Sequence, residues 1–171
     1  MFMALKYLNA KGTITLPKKT YLSVPGLVIH AGCQIKFEDF EWSGVYKLDP
    51  YPVVDGATRF TKDMYIPGTF HCLSFHIRKV LAIGKGGMIL TDDKEAADWF
   101  RRARYEGRNN REAHDSIDDI WILGWNFYMP PEQAGYGIEL FNKLPEKNDD
   151  TGGSWKYKDL SSYTAWSDSV V

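Results

Sequence analysis

Two side chains in this sequence have the right types to act together on a carbonyl group. Lys79 ends the stretch Ser74-Phe-His-Ile-Arg-Lys79 and is followed by Gly84-Lys-Gly-Gly-Met-Ile-Leu-Thr91. Upstream, Asp55 closes a short apolar run in Val53-Val-Asp55-Gly-Ala-Thr58. A lysine withdrawn from water has a lowered pKa, and its neutral amine attacks an aldehyde. An aspartate at the carboxyl end of a strand lies where open α/β sheets bind ligands, and its charge keeps a paired ring nitrogen protonated. A nucleophilic amine and such a carboxylate are the two groups that electron-sink chemistry at an amino carbon requires.

Other clusters read more plainly. His71, Cys72 and His76 suggest metal ligands, but residues 71 and 72 of a strand face opposite sides, so no shared ion is expected. Gly84-Lys-Gly-Gly lacks the spacing of a nucleotide phosphate loop and precedes a strand, so it reads as a turn. Cys33 and Cys72 are far apart and read as two reduced, buried thiols of a cytoplasmic protein.

Strands and helices must position these residues. Phe2, Leu5 and Leu8 recur at helical spacing, and Gly12 stops that helix. Residues 13–16 read as a strand closed by Pro17. Residues 21–31 read as a helix entered through Pro25 and stopped by Gly32. Further strands are expected over 34–37, 52–55, 70–75 and 87–91. The last two have no helix between them and should pair antiparallel. Asp92 or Asp93 caps a helix through Arg104, and Pro130-Pro-Glu-Gln starts another that runs to about Leu144. The charged stretch 105–120 lacks periodicity and reads as a loop.

The bulk properties exclude several classes. A chain of 171 residues is one domain by prior, and its abundant aromatics argue against disorder. A net charge of −1 offers no electrostatic grip on nucleic acid or an anionic membrane. No apolar run approaches the roughly 20 residues needed to span a bilayer.

The order of motifs resembles the DegT/DnrJ/StrS family of sugar aminotransferases, which depend on pyridoxal phosphate. That family shows Asp-Ala-Ala-Gln, Ser-Phe-His-Pro-x-Lys, Gly-Gly-x-x-x-Thr and Gly-x-Asn-x-x-Met in succession. Here they stand as Asp55-Gly-Ala-Thr58, Ser74-Phe-His-Ile-Arg-Lys79, Gly86-Gly-Met-Ile-Leu-Thr91 and Gly124-Trp-Asn126-Phe-Tyr-Met129. The match runs from about Met3 to Leu144. The resemblance implies that Lys79 is the Schiff-base lysine and that Asp55 pairs with the pyridine nitrogen. It implies that Ser74 bonds the phosphate and that Thr58 stands where a glutamine meets the ring hydroxyl. Tyr21, in Leu16-Pro-Lys-Lys-Thr-Tyr21, would stack on the ring, and Asn126 would reach the phosphate of a neighbouring subunit in a dimer. Tyr21, Ser74 and Asn126 have plain structural readings too, as a packing aromatic, a strand hydroxyl and a turn former.

The resemblance thus implies an α/β fold, a three-layer α/β/α sandwich with a mainly parallel mixed sheet. Residues 1–144 form this large-domain core, and 145–171 an irregular tail of polar and aromatic residues. The family's N-terminal phosphate turn and its small domain are not matched, and the 37–55 interval is too short for the usual strand and helix. The function implied is transfer of an amino group from glutamate or glutamine to a keto group of a nucleotide-linked sugar, in the cytoplasm. The alternative is a non-catalytic core acting as the subunit of a longer partner or of a second copy. Without the small domain, apolar faces would need another cover. Trp155, Tyr157 and Trp166 of the tail are candidates.

Overall fold

The computed structural model describes residues 1–109, 111–113 and 120–171. Helix α1 (Phe2–Tyr7) leads into strand β1 (Thr13–Pro17), helix α2 (Ser23–His30) and strand β2 (Gln34–Glu38). Three strands follow: β3 (Tyr46–Lys47), β4 (Val53–Asp55) and β5 (Phe70–Ser74). Strand β6 (Gly87–Leu90), helix α3 (Lys94–Ala103) and helix α4 (Pro131–Phe141) complete the order. Strands β1 and β2 pair in parallel, and the larger sheet runs β3-β4-β5-β6. In it β4 and β5 are parallel, whereas β3 on β4 and β6 on β5 are antiparallel. The Thr15 amide donates to the Asp49 carbonyl at 2.8 Å and joins the two sheets. The larger sheet is mixed, as expected, but with one parallel and two antiparallel pairings; with β1 on β2 the described strands pair twice each way, a smaller parallel share than expected.

Strand β5 separates two apolar layers. Phe70 and Cys72 belong to the larger core with Leu5, Ile14, Val28 and Phe100. Leu73 and Phe75, on the other face, pack with Leu81, Ile83 and the α4 residue Leu140. Helices α1, α2 and α3 therefore cover one side and α4 the other, which gives the three layers. Burying side chains such as Leu5 or Ile14, both fully enclosed, contributes about 1.5–3 kcal/mol each.

Local chemistry accounts for the elements that carry the site. Asp93 caps α3 by accepting the Ala96 amide at 2.9 Å. Glu95 in the first turn and Arg101 and Arg102 in the last complement the helix dipole. The turn ahead of β6 needs its glycines: Gly84 and Gly86 have positive φ, and a Cβ on Gly87 would lie 2.4 Å from the Leu73 carbonyl. Of the expected loop 105–120, residues 110 and 114–119 lie outside the described residues. No helix among the described residues is long and apolar enough to cross a membrane.

The tail is ordered and tied to the core. It contains short 3-10 turns at Ser154–Lys156 and Thr164–Ser169 and buries Trp166, while Trp155 is exposed. Arg59 grips Asp150 with two bonds of 2.8 and 2.7 Å, and Asp150 also accepts from Ser43. The Asp150 carboxyl is held below its ordinary value of 3.8, chiefly by Arg59. A depressed carboxylate stabilises the fold above its unfolded value and loses that contribution as pH falls through its folded value. Replacing Arg59 by Ala should therefore lower stability by about 1–3 kcal/mol, measured by urea unfolding at pH 7. The same variant should show a shallower fall of stability with pH below 4 than the parent.

Candidate active site

The site is built at the carboxyl ends of β4 and β5. Asp55 is the last residue of β4, aligned with Tyr46 on one side and Cys72 on the other. Its side chain is only 6% exposed, so both oxygens need partners. Oδ2 accepts from the Tyr46 hydroxyl at 2.8 Å, and Oδ1 accepts from the Ala57 amide at 2.9 Å. The Tyr46 oxygen lies 2.6 Å from Thr20 Oγ1, which is also buried. The phenol is pushed well above its ordinary value, first by burial and then by the Asp55 charge.

Lys79 follows β5 in a turn closed by its amide on the His76 carbonyl at 2.8 Å. Its side chain is half-buried. Burial holds the amine below the ordinary lysine value, and the neighbouring Lys156 lowers it further. Asp55 acts in the opposite sense. Lys79 thus lies within electrostatic reach of Asp55, the other residue read first from the sequence, and of Lys156 in the tail. Ser74 ends β5 opposite Gly87, half-buried, and its oxygen accepts a long 3.4 Å bond from the His76 amide.

The other expected residues are placed differently. Thr58 is buried, and its hydroxyl bonds the carbonyls of Gly44 at 3.0 Å and Gly152 at 2.9 Å. Its own carbonyl accepts from both the amide and the hydroxyl of Thr151. Thr58 pins the tail to the core. Tyr21 is 55% exposed and meets Tyr157 edge-on, with ring centroids 6.4 Å apart. Asn126 is exposed, and its side-chain amide donates to Glu106 at 2.9 Å.

Three contributors were not assigned to this site from the sequence. Tyr46 lies on a two-residue strand, too short to show a period. Trp42 joins Tyr46 to the tail: its ring is 4.7 Å from Tyr46 and stacks on Tyr157 at 5.7 Å. Its indole N–H donates to the Lys19 carbonyl at 2.8 Å. His71 is fully buried, and neither ring nitrogen has a hydrogen-bond partner. Burial, then Arg59, holds its imidazole below the ordinary value, so the ring is neutral at pH 7. A Cβ on Gly56 would fall 2.3 Å from His71 Nε2. That is why Gly56 stands where the family pattern has alanine. The pair Gly56 and His71 was the available signal.

Because Lys156 lowers the Lys79 value, Lys156→Ala should raise it and leave less neutral amine. Reductive methylation of Lys79 near pH 8, followed by peptide mass spectrometry, should be slower in Lys156→Ala than in the parent. An equal or faster rate would show that the tail charge does not reach Lys79.

The model of the DegT/DnrJ/EryC1/StrS aminotransferase family matches residues 56–157, a span that includes Thr58, Ser74, Lys79 and Asn126 and enters the tail. No curated protein matches the chain. Among solved structures, a Bacillus cereus protein assigned as a PLP-dependent aminotransferase superposes with a TM-score of 0.65 at 19% identity, over 83% of this chain and 50% of that one. The sugar aminotransferase CalS13 of Micromonospora echinospora gives 0.64 at 15%, over 83% and 53%. The aminotransferase TlmJ of Streptoalloteichus hindustanus gives 0.64 at 19%, over 85% and 51%. At these identities the likeness establishes the fold, and the chain spans about half the length of the structures it matches. With the family model covering more than half of its residues, this chain belongs to the DegT/DnrJ/EryC1/StrS aminotransferase family.

Proposed function

We propose that the chain is the cofactor-binding core of a pyridoxal-phosphate-dependent aminotransferase, with Lys79 as the residue that holds the cofactor. One observation carries the reading. A half-buried amine of lowered basicity follows β5 within electrostatic reach of the buried carboxylate that ends the adjacent parallel strand β4, at the strand ends where open α/β sheets bind ligands.

The donor set fits the group. Each Asp55 oxygen accepts one bond from the protein and keeps a lone pair for a further donor. The Ser74 hydroxyl has only a long contact, and its proton is free for an anion. The exposed face of Tyr21 is available to a flat ring. When bound, pyridoxal phosphate supplies a reactive aldehyde and a protonated pyridine that withdraws electrons. In this reading the Lys79 amine binds the cofactor and afterwards carries a proton at Nζ, and its lowered basicity suits both tasks. The Asp55 carboxylate orients the ring by accepting its N–H and keeps that nitrogen protonated. By family, the amino acceptor is a keto group on a nucleotide-linked sugar and the donor is glutamate or glutamine. A second copy of the chain or a longer partner supplies further walls of the site.

A second reading is a non-catalytic core that serves as a partner subunit. It is favoured by the engagement of Thr58 with two backbone carbonyls and of Asn126 with Glu106. The buried Thr58 hydroxyl is committed to the backbone, and one Asn126 N–H is committed to Glu106.

The test is the visible absorbance of the chain after addition of pyridoxal phosphate, followed by borohydride reduction and peptide mapping. The parent should gain a band and carry the reduced cofactor on Lys79, whereas Lys79→Ala should do neither. Indistinguishable spectra, with no adduct on the parent, would falsify the aminotransferase reading and leave the partner-subunit reading.

A further inference from the structure

We infer that Tyr46, backed by Thr20, is the residue that positions the Asp55 carboxylate to receive a ring-nitrogen donor. The inference rests on the aminotransferase reading above. The antiparallel register sets Tyr46 directly opposite Asp55, and the hydroxyl reaches Oδ2 at 2.8 Å. A carboxylate only accepts, so the single phenolic proton goes to Asp55. The Thr20 hydroxyl, 2.6 Å from the same phenol oxygen, must then donate to it. The order of protons is fixed: Thr20 to Tyr46 to Asp55. Each bond polarises the next.

The Ala57 amide holds Oδ1 in the same way. One donor on each oxygen resists rotation of the carboxylate about its Cβ–Cγ bond, because turning breaks one bond or both. The remaining lone pairs therefore keep a fixed direction, which is what pairing with a flat heterocycle demands. Tyr46 is itself held by the Trp42 ring at 4.7 Å, and Trp42 stacks on Tyr157. The tail thereby supports the positioning residue. A phenylalanine would pack in the same space. Only the hydroxyl satisfies both Thr20 and Asp55.

Tyr46→Phe separates positioning from packing when two ligands are compared by calorimetry: pyridoxal phosphate, and its analogue with carbon in place of the ring nitrogen. Tyr46→Phe should weaken pyridoxal phosphate about tenfold and the carbon analogue by about twofold or less. Thr20→Val, which keeps the bond to Asp55, should weaken pyridoxal phosphate in the same sense but less. Equal losses for both ligands would mean that Tyr46 only supports the fold, and would overturn the inference. If the parent binds neither ligand, the aminotransferase reading fails, and proton NMR of the cofactor-free chain decides the positioning claim. The parent should show a hydroxyl resonance downfield of the amides that is lost in Tyr46→Phe and moves upfield in Asp55→Asn. A resonance unchanged in Asp55→Asn would overturn it.

Discussion

An aspartate carboxylate almost out of water must be hydrogen-bonded on both oxygens, and this requirement organises the centre of the molecule. Asp55 ends a buried strand and keeps only a sliver of its surface open. The Ala57 amide satisfies one oxygen from within its own turn. The other oxygen needs a donor from elsewhere, and Tyr46 brings it on a strand that exists only as a two-residue pairing with β4. From that bond the dependence runs outward: Tyr46 leans on Trp42, Trp42 on Tyr157, and Ser154 bonds the backbone of Trp42. The segment 39–49 and the tail, which look irregular in isolation, serve one buried charge.

The tail also bears on the electrostatics of Lys79, after burial and Asp55. Thr58 and Arg59 anchor residues 150–152, and the chain then carries Lys156 and Tyr157 to the site. Burial and, to a lesser degree, Lys156 lower the Lys79 amine, and burial and the Asp55 charge raise Tyr157. The solved structures superpose over only about half their length. The family match continues past α4 into the tail.

Much of the frame was legible in the sequence because its signals are local. The Gly68-to-Thr91 stretch shows two β-rich runs around a glycine turn, and it forms β5 and β6 with the expected antiparallel pairing. Asp93 before an apolar 96-100-103 stripe gives a capped α3. The strand-end Asp55 and the Lys79 beyond β5 came from type and spacing. What was not legible depends on contacts distant in sequence. Thr58 meets Gly152, 94 residues away, and nothing near it signals that its hydroxyl is occupied. Tyr46 has too little strand around it to show alternation. His71 and Gly56 explain each other only once β4 and β5 are side by side.

The central claim is that Lys79 and Asp55 share one site. The most direct measurement is the NMR titration of the Lys79 Nζ, with selectively labelled lysine, in the parent and in Asp55→Asn. The Asp55 charge favours the protonated amine, so its removal should move the Lys79 midpoint to lower pH, further from the ordinary lysine value. A midpoint that stays in place, or rises, would contradict the account.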